Sequence, residues 1–377
     1  MGNYDQISCS ADSSFALDYT YESSDPKTLS VDAQGKINAW KAGTVTVRIT
    51  AVPINVTKEI TITVNESALS KDSGASYKVV ASTGMASSTM HRPKNSTYGS
   101  VQTAYITQLG DGTYERLEYI KKQIVREVYN ADYTLQSQSN IPCELALFGG
   151  FYSGKDCNFL VFGQNNTEES DDVEVFRIVK YDKNWNRLGA CSIKGANTYQ
   201  PFDAGSLDMT ETNGKLYVYT CHTMYKSSDG YHHQANCTFV INESDMTLAD
   251  SFSGVMNISY GYVSHSFNEL IETDGTNIYR ADLGDAYPRG IALTSTLVTS
   301  AITKPSQYGA VISIPGNTGS NYTGYSVSGL KLSDDYYMVA GNGIVSSDSN
   351  TRNIYINASP KTSWSAGATW ITNYDDN

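Results

Sequence analysis

The chain of 377 residues is short of positive charge, with 27 Lys and Arg against 39 Asp and Glu, so its formal net charge is -12. A protein that binds the phosphate backbone of nucleic acid needs a cationic face. The composition therefore predicts no nucleic-acid partner. Excess charge of one sign also favours a soluble protein that resists association, so we expect a monomer.

Long apolar segments are also missing. No stretch approaches the roughly 18 apolar residues that cross a bilayer, so we expect no insertion into a membrane. The first residues, MGNYDQIS, have neither the basic nor the apolar region of a signal peptide. We therefore expect no signal peptide, and this start fits either a chain that begins inside a longer precursor or a native cytoplasmic start.

Cysteine is scarce as well, because six residues are too few for a disulfide scaffold at this length. Cys221 and Cys237 lie at equal distances from Asp229, which the sequence places at the tip of a hairpin. Opposed cysteines on paired strands can reach each other, although the geometry is often strained. A disulfide and two reduced thiols packed as small apolar residues are both open.

What the sequence does contain is an apolar period of two along almost its whole length, interrupted by Gly, Asn and Asp turns. One segment, TYERLEYIKKQIVREVYN (113–130), could pass for a helix. Its alternating apolar residues and missing caps favour strands. The chain is therefore predicted to be all-β.

Residues 21–64 contain short strands separated by AQG and KAG turns, a pattern typical of a small sandwich. The motifs SSD (23–25), VDAQGKINA (31–39) and AGT (42–44) resemble those of the bacterial Ig-like domain, group 2, over about 50 residues. This resemblance implies a spacer or adhesin module of a secreted or cell-surface bacterial protein. It supplies no catalytic residues. We expect this domain to span 1–66.

After a polar linker at 67–76, the sequence from 77 to 377 is repetitive. Its turn anchors are Gly154, Gly214, Gly275 and Asp335, separated by 60, 61 and 60 positions. A second phrase recurs between the anchors, as VYNADYTLQS, KYDKNWNRLG and VINESDMTLA. Four strands in each repeat of an all-β chain predict a β-propeller, which we expect to have five or six four-stranded blades.

The repetitive region is also similar to an uncharacterised propeller-like module of surface proteins from anaerobic Gram-positive bacteria. The stretches that carry this resemblance are FGGFYSGKDCNFLVFGQNN, SSDGYHHQAN, GYVSHSFNEL and GDAYPRG. The resemblance implies an extracellular or cell-surface location, and it implies no particular activity.

The repeat sorts the connecting segments onto two faces of the predicted propeller. The turns between the first and second, and the third and fourth, strands of each blade hold ordinary turn residues such as Asp274. The opposite face, here called the loop face, collects most of the unusual side chains. The predicted ligand-binding residues on it are Gln164, Asp203, His222, His232, His265, Asp282, Asp285 and Arg289.

The adjacent His232 and His233 point to opposite sides of a strand, so at most one of them can face the channel. His222, His232, His265 and Asp203 could bind a metal, but no spacing such as HExxH occurs. The sequence also lacks a nucleophile elbow and a phosphate-binding glycine loop. We therefore expect neither a metal nor a cofactor.

Tyrosines outnumber phenylalanines 28 to 10, which offers stacking area beside polar side chains. The favoured hypothesis is a protein that binds a carbohydrate, or another ligand at a host surface, through the loop face. A polysaccharide hydrolase or lyase that uses an Asp and a His of that face is an alternative. An adhesin for a host protein is another, and the fold alone cannot choose among them.

Overall fold

The computed structural model describes residues 4–10, 17–39, 41–65, 101–203, 205–258, 261–263, 268–284, 289–314, 325–344 and 352–371. This part of the chain consists of strands, turns and loops without a helix, which confirms the all-β prediction. Accordingly, no helix long and apolar enough to cross a membrane is found in it. The chain divides into two compact units, Met1–Val79 and Val80–Asn377. The predicted linker at 67–76 lies outside the described residues, so its boundaries stay predictions.

The first unit contains two three-stranded antiparallel sheets, with the strand orders β1-β4-β3 and β2-β5-β6. Their strands are β1 (Tyr4–Gln6), β2 (Asp18–Ser23), β3 (Leu29–Val31), β4 (Lys36–Ala39), β5 (Gly43–Val52) and β6 (Val56–Val64). Leu29 of one sheet and Val45, Val47 and Ile49 of the other share one buried cluster. The unit is therefore a small β-sandwich.

The second unit contains five antiparallel sheets that follow one another along the chain. The strands of the first two sheets are β7 (Ala104–Gln108), β8 (Tyr114–Ile120), β9 (Gln123–Tyr129), β10 (Leu135–Ile141), β11 (Leu147–Ser153), β12 (Cys157–Gly163), β13 (Glu174–Asp182) and β14 (Arg187–Lys194). The third sheet has five strands: β15 (Thr198–Pro201), β16 (Leu207–Thr212), β17 (Lys215–Lys226), β18 (His232–Asn242) and β19 (Thr247–Phe252).

A short hairpin follows, made of β20 (Met256–Ile258) and β21 (Gly261–Val263). The fourth and fifth sheets are formed by β22 (Leu270–Thr273), β23 (Asn277–Gly284), β24 (Gly290–Leu297), β25 (Gln307–Ser313), β26 (Ser326–Leu332), β27 (Tyr336–Ile344), β28 (Arg352–Pro360) and β29 (Thr369–Ile371). In four of these five sheets every strand pairs with the next one along the chain; in the third sheet both β15 and β16 pair with β17.

The opening strands of successive sheets are neighbours. Strand β11 contacts β16, β16 contacts β22, and β22 contacts β26. At the start of this series Tyr105 of β7 packs edge-on against Phe151 of β11, with ring centroids 5.4 Å apart. Four-stranded meanders that meet through their first strands have the arrangement of β-propeller blades. We call β7, β11, β16, β22 and β26 the inner strands.

The predicted turn anchors lie where the repeat placed them, each between the inner strand of its sheet and the next strand along the chain. The ambiguous segment 113–130 forms β8 and β9, which confirms the strand interpretation. Lys121 and Lys122, at φ 50° and 62°, form the tight turn between these strands. The last strand, β29, pairs with β28 inside the fifth sheet, while its suggested partner at 76–82 lies outside the described residues.

The cysteine question is decided by a β-bulge in the third sheet. Near the hairpin tip Lys226 pairs with His232, but the register shifts between Thr223 and Lys226. Beyond the bulge Thr220, rather than Cys221, pairs with Cys237. A shift of one residue turns the two side chains to opposite faces of the sheet. Both thiols are free, as are the other four cysteines.

Candidate functional site

His222 lies inside β17 and not in a loop, because β17 continues to Lys226. Its side chain is fully buried, and Nδ1 is 2.6 Å from Thr198 Oγ1. Burial lowers the pKa of His222 to about 3, so the imidazole is neutral at physiological pH. A ligand can reach this residue only if the third sheet opens.

Asp282 is likewise buried within a strand, β23. Its Oδ2 accepts hydrogen bonds from the Tyr219 hydroxyl and from Asn236 Nδ2, the latter at 3.2 Å. Arg280, on the same side of β23, donates to Thr238 Oγ1 at 3.0 Å. These residues join the third and fourth sheets through buried polar contacts.

Sequence reasoning missed a second carboxyl group near this interface, Glu269. It is fully buried, and its Oε2 accepts from the backbone nitrogen (2.6 Å) and the hydroxyl (3.0 Å) of Ser206. Burial, followed by the charge of Asp282, raises the pKa of Glu269 well above its usual range. A Cβ on Gly205 would lie 2.1 Å from Cys221 Cβ, which shows how tightly this carboxyl group is enclosed.

The two adjacent histidines have different surroundings. The ring of His232 packs against Tyr199 with centroids 4.1 Å apart and the ring planes tilted by 32°, and its Nδ1 donates to the Met224 carbonyl at 2.9 Å. His233 instead contacts Asp229 Oδ2 through Nε2, at 2.7 Å, on the outer part of the hairpin. The side chains thus diverge, as alternation along a strand requires.

The remaining predicted residues are dispersed. Asp203 Oδ2 accepts from Thr223 Oγ1 at 2.7 Å, and Gln164 Nε2 donates to the Glu174 carbonyl at 2.6 Å. The carbonyl of Arg289 accepts from the Ile314 nitrogen at 3.2 Å. His265 and Asp285 lie outside the described residues. As ligand contacts, all eight residues stay predictions.

Polar side chains also occur on the inner strands. Asp208 of β16 is half-buried, and its Oδ2 accepts from the Ile271 nitrogen of β22 at 3.0 Å. Burial raises the pKa of Asp208 to about 6. Glu272 of β22 forms an ion pair with Lys331 of β26. Within the described part of the chain, no group of three or more His, Cys, Asp or Glu is suited to a metal ion.

An open cleft of about 560 Å³ lies between the fourth and fifth sheets, at the end opposite to the loop face. We call it the turn-face cleft, because half of its lining residues lie in the connections between adjacent strands and the others lie in the flanking strands. The residues that line it are Asp274, Asn277, Tyr279, Ser295, Ser306, Gln307, Asp334, Asp335, Tyr336, Pro360, Lys361 and Thr362.

One wall of the cleft is fixed by an ion pair between Lys361 Nζ and Asp274 Oδ2, at 2.9 Å. The ammonium also lies 5.7 Å from the ring centroid of Tyr279. Burial alone would raise the pKa of Asp274, but hydrogen bonding to the Asn277 nitrogen and the Lys361 ammonium hold it below its usual value. Burial raises the pKa of Tyr279 to about 12, so its hydroxyl stays protonated.

The other wall is exposed. Tyr336 shows 52% of its surface to solvent, and Asp334 and Asp335 are exposed beside it. The backbone nitrogen of Lys361 donates to the Asp335 carbonyl at 2.8 Å, which extends the pairing of β27 and β28 and fixes this turn to its own sheet. The cleft therefore combines a free aromatic face with carboxylate, amide and hydroxyl groups, which suits noncovalent binding of a polar ligand.

Neither family models nor curated proteins match this sequence. Among solved structures, the chain is similar to an α-L-arabinanase of Penicillium chrysogenum complexed with arabinobiose, at 13% identity and a TM-score of 0.41 over 74% of this chain and 85% of that one. It is similar to an endo-arabinase of Bacteroides thetaiotaomicron VPI-5482 at 11% identity and a TM-score of 0.37, over 74% and 96%.

A third similar structure is the polysaccharide lyase Uly1, at 10% identity and a TM-score of 0.40. The match covers 67% of this chain and spans 57% of the length of the lyase. At these identities and TM-scores, none of the three similarities establishes a shared activity.

The sequence offered one signal for the turn-face cleft. Three of the four turn anchors are glycines, whereas the fourth lies in SDDYY (333–337), where two acids are followed by two tyrosines. Charged and aromatic side chains at a position where the other repeats have glycine indicate a role beyond turning the chain. Asp274, which the sequence placed among ordinary turn residues, lies on the facing wall.

Proposed function

We propose that this chain is part of a secreted or surface-displayed bacterial protein that binds a carbohydrate in the turn-face cleft. In this proposal the first unit is an Ig-like spacer of group 2, and the five sheets of the second unit close into a five-bladed propeller. The observation that carries the proposal is the cleft itself, with Tyr336 exposed beside fixed polar groups.

The size and lining of the cleft support this choice of ligand. Binding pockets for small ligands typically measure about 300–1,000 Å³, and 560 Å³ falls in that range. The ring of Tyr336 offers a flat surface against which a sugar ring can stack. Side chains such as Asn277 and Gln307 supply donors and acceptors for hydroxyl groups.

The proposal moves the ligand from the loop face to the opposite face. His222 and Asp282 are buried, and His232, Asp203 and Gln164 already bond to neighbouring groups of the protein. In contrast, the exposed side chains of the cleft are free to exchange water for a ligand. Binding therefore requires less rearrangement at the cleft than at the loop face.

A pair of tyrosine variants tests the proposal. Glycan arrays probed with the whole chain identify an oligosaccharide, whose affinity is then measured by calorimetry for Tyr336→Ala and Tyr231→Ala. Both tyrosines are exposed, but Tyr231 lies at the tip of the loop-face hairpin and is 70% exposed. We expect Tyr336→Ala to weaken binding about three- to tenfold through lost stacking, and Tyr231→Ala to leave it unchanged.

The opposite pattern, with loss only in Tyr231→Ala, would return the ligand to the loop face. An array without any oligosaccharide hit would reject carbohydrate binding and favour a protein partner.

A polysaccharide hydrolase or lyase is the second candidate, and one observation favours it. The pKa of Asp208 is raised to about 6 by burial, and a general acid or base works best when its pKa is near the operating pH. If the protein also cleaves a polysaccharide at the inner strands, outside the turn-face cleft, Asp208→Asn should abolish product formation while affinity at the cleft is kept. Unchanged turnover in that variant would exclude Asp208 from catalysis.

A further inference from the structure

The charge of the turn-face cleft limits the kind of saccharide that fits it. Its described lining contains three acids, Asp274, Asp334 and Asp335, and one base, Lys361. The formal charge of this lining is therefore -2 when all four groups are ionised. The whole chain carries a charge of -12, so its long-range field also repels anions.

The one base of this lining is not available to a ligand. Only 11% of the Lys361 side chain is exposed, and its ammonium is held by Asp274 Oδ2 and by the ring of Tyr279. Pulling it towards an anionic sugar would leave the partly buried Asp274 carboxylate without its counter-ion. Lys361 is therefore a structural cation of the cleft wall.

The two remaining acids have the opposite character. Asp334 and Asp335 are exposed, and neither side chain forms an ion pair within the described part of the chain. The next residue, Tyr336, presents its ring to the same opening. Carboxylates attract an ammonium group by charge, and the face of an aromatic ring attracts it through its quadrupole. Two different features of one short turn thus recognise the same chemical group.

We propose that the turn-face cleft selects saccharides that carry a free amino group, that is, non-acetylated amino sugars, and discriminates against uronic acids. This inference rests on the proposed function and specifies its substrate class. The sugar ring stacks on Tyr336, and its ammonium group lies between that ring and the carboxylates of Asp334 and Asp335. N-acetylation of the sugar removes the positive charge but leaves the ring.

The experiment compares three tetrasaccharides by calorimetry at pH 6 and low ionic strength, using the whole chain. They are β-1,4-linked tetramers of glucosamine, of N-acetylglucosamine and of a uronic acid. We expect glucosamine to bind roughly five- to tenfold more tightly than its acetylated counterpart, and the uronic acid most weakly. Because both acids are exposed, the preference should shrink as salt is added.

A matched pair of charge variants locates the effect. Asp334→Asn with Asp335→Asn removes two adjacent acids from the cleft, while Asp171→Asn with Asp172→Asn removes two adjacent acids from the segment 164–173 on the loop face. We expect only the first double variant to lose the preference for glucosamine. It should still bind N-acetylglucosamine, because Tyr336 is unchanged.

The outcomes separate this inference from the proposed function. Equal affinity for the two hexosamine tetramers, abolished in Tyr336→Ala, would overturn the amino-sugar inference and leave carbohydrate binding intact. If the double variant of Asp171 and Asp172 lost the preference for glucosamine, the amino-sugar site would not lie in the turn-face cleft. Binding of tetralysine as tightly as of the glucosamine tetramer would overturn the saccharide class. No binding by any tetramer or array glycan would overturn both proposals.

Discussion

One strand, β23, separates two interfaces that both contain apolar clusters, and the interface with the third sheet also encloses two ionisable groups. Its residues Arg280 and Asp282 point towards the third sheet, where they meet Tyr219, Asn236 and Thr238 in buried polar contacts. The alternate residues Tyr279, Ala281 and Leu283 belong to the apolar cluster shared with the fifth sheet. The period of two thus places ionisable groups on one face of a strand and aliphatic or aromatic groups on the other.

The comparison shows which polar groups are available to bind a ligand. At the interface of the third and fourth sheets, the ionisable side chains are enclosed and bonded to each other. At the interface of the fourth and fifth sheets, the core is apolar, and the sheets separate at the turn face to leave an open cleft lined by polar groups. Enclosed polar groups stabilise the packing of sheets, whereas exposed ones in a concave opening can bind a ligand.

The largest expected effect comes from breaking the polar interface. Arg280 is the largest fully buried side chain of those described, and Arg280→Ala removes the cation near Asp282. We expect the free energy of unfolding in urea to fall by about 3–5 kcal/mol. Lys331→Ala, which removes a 72% exposed cation paired with Glu272, should cost no more than about 1 kcal/mol. Similar losses in both variants would contradict the distinction between enclosed and exposed charges.

The packing of the fifth sheet, which forms one side of the apolar interface, is tested by overpacking. A Cβ on Gly341 of β27 would lie 2.0 Å from the Ser326 carbonyl oxygen and 2.5 Å from the Tyr355 hydroxyl. Gly341→Ala must therefore move the backbone of a central strand, and we expect a loss of about 3 kcal/mol in the same unfolding measurement. Gly329→Ala on β26 is the matched control, since no atom lies within 4 Å of its added Cβ. A tolerated Gly341→Ala would show that these strands are loosely packed.

The buried His222 should make the free energy of unfolding depend on pH. His222 has a pKa of about 3 in the folded protein, below the value of roughly 6.5 in an unfolded chain. Below pH 6.5 the unfolded state binds a proton that the folded state excludes, so stability falls as the pH decreases. We expect this residue to account for about 2 kcal/mol of the loss in unfolding free energy between pH 7 and pH 5.

The variant His222→Gln should lack that part of the pH dependence. Unfolding curves at the two pH values in both proteins measure it directly. An identical slope in the variant would mean that His222 has the same pKa in the folded and the unfolded protein, which would contradict the effect of burial.

The smallest expected effect concerns Glu269, whose contribution to stability changes with pH in the opposite direction to that of His222. Since burial raises the pKa of Glu269, the folded protein keeps a proton that the unfolded chain releases once the pH exceeds the ordinary carboxyl range. Stability is therefore lost as the pH rises towards the folded pKa. We expect Glu269→Gln to stabilise the protein by about 1 kcal/mol at pH 7 and to have little effect at pH 4. A gain of the same size at both values would point to a packing effect instead.

Strand periodicity and turn spacing were enough to predict the all-β class and the repeated strand pairs, because both follow from local sequence. The anchors Gly154, Gly214 and Gly275 all lie between paired strands, and 113–130 forms a hairpin. Whether Cys221 and Cys237 pair could not be predicted, because their register depends on one bulge between Thr223 and Lys226, for which the local sequence has no recognisable pattern.

The candidate site is harder to predict from sequence, because polar residues occur both in loops and within buried strands. His222 and Asp282 are polar, yet they lie within β17 and β23, where neighbouring sheets satisfy their hydrogen bonds. The cleft residues Asp274 and Asp335 belong to repeats about 60 residues apart, and only the packing of two sheets brings them to one opening. Contacts between sheets are a property of tertiary packing, which sequence periodicity does not encode.

Because of the bulge in β17, two of the protein's own thiols can be used to measure how often the third sheet opens. Because Cys221 and Cys237 are kept apart as free thiols, both buried and with pKa values raised by burial, neither reacts while β17 and β18 are packed. The less buried Cys9, Cys143 and Cys157 would be modified first. Cys191 of β14 is buried as well. The rate at which a thiol reagent modifies Cys221 and Cys237, resolved from Cys191 by mass spectrometry, therefore measures how often the third sheet exposes its interior, without any introduced probe.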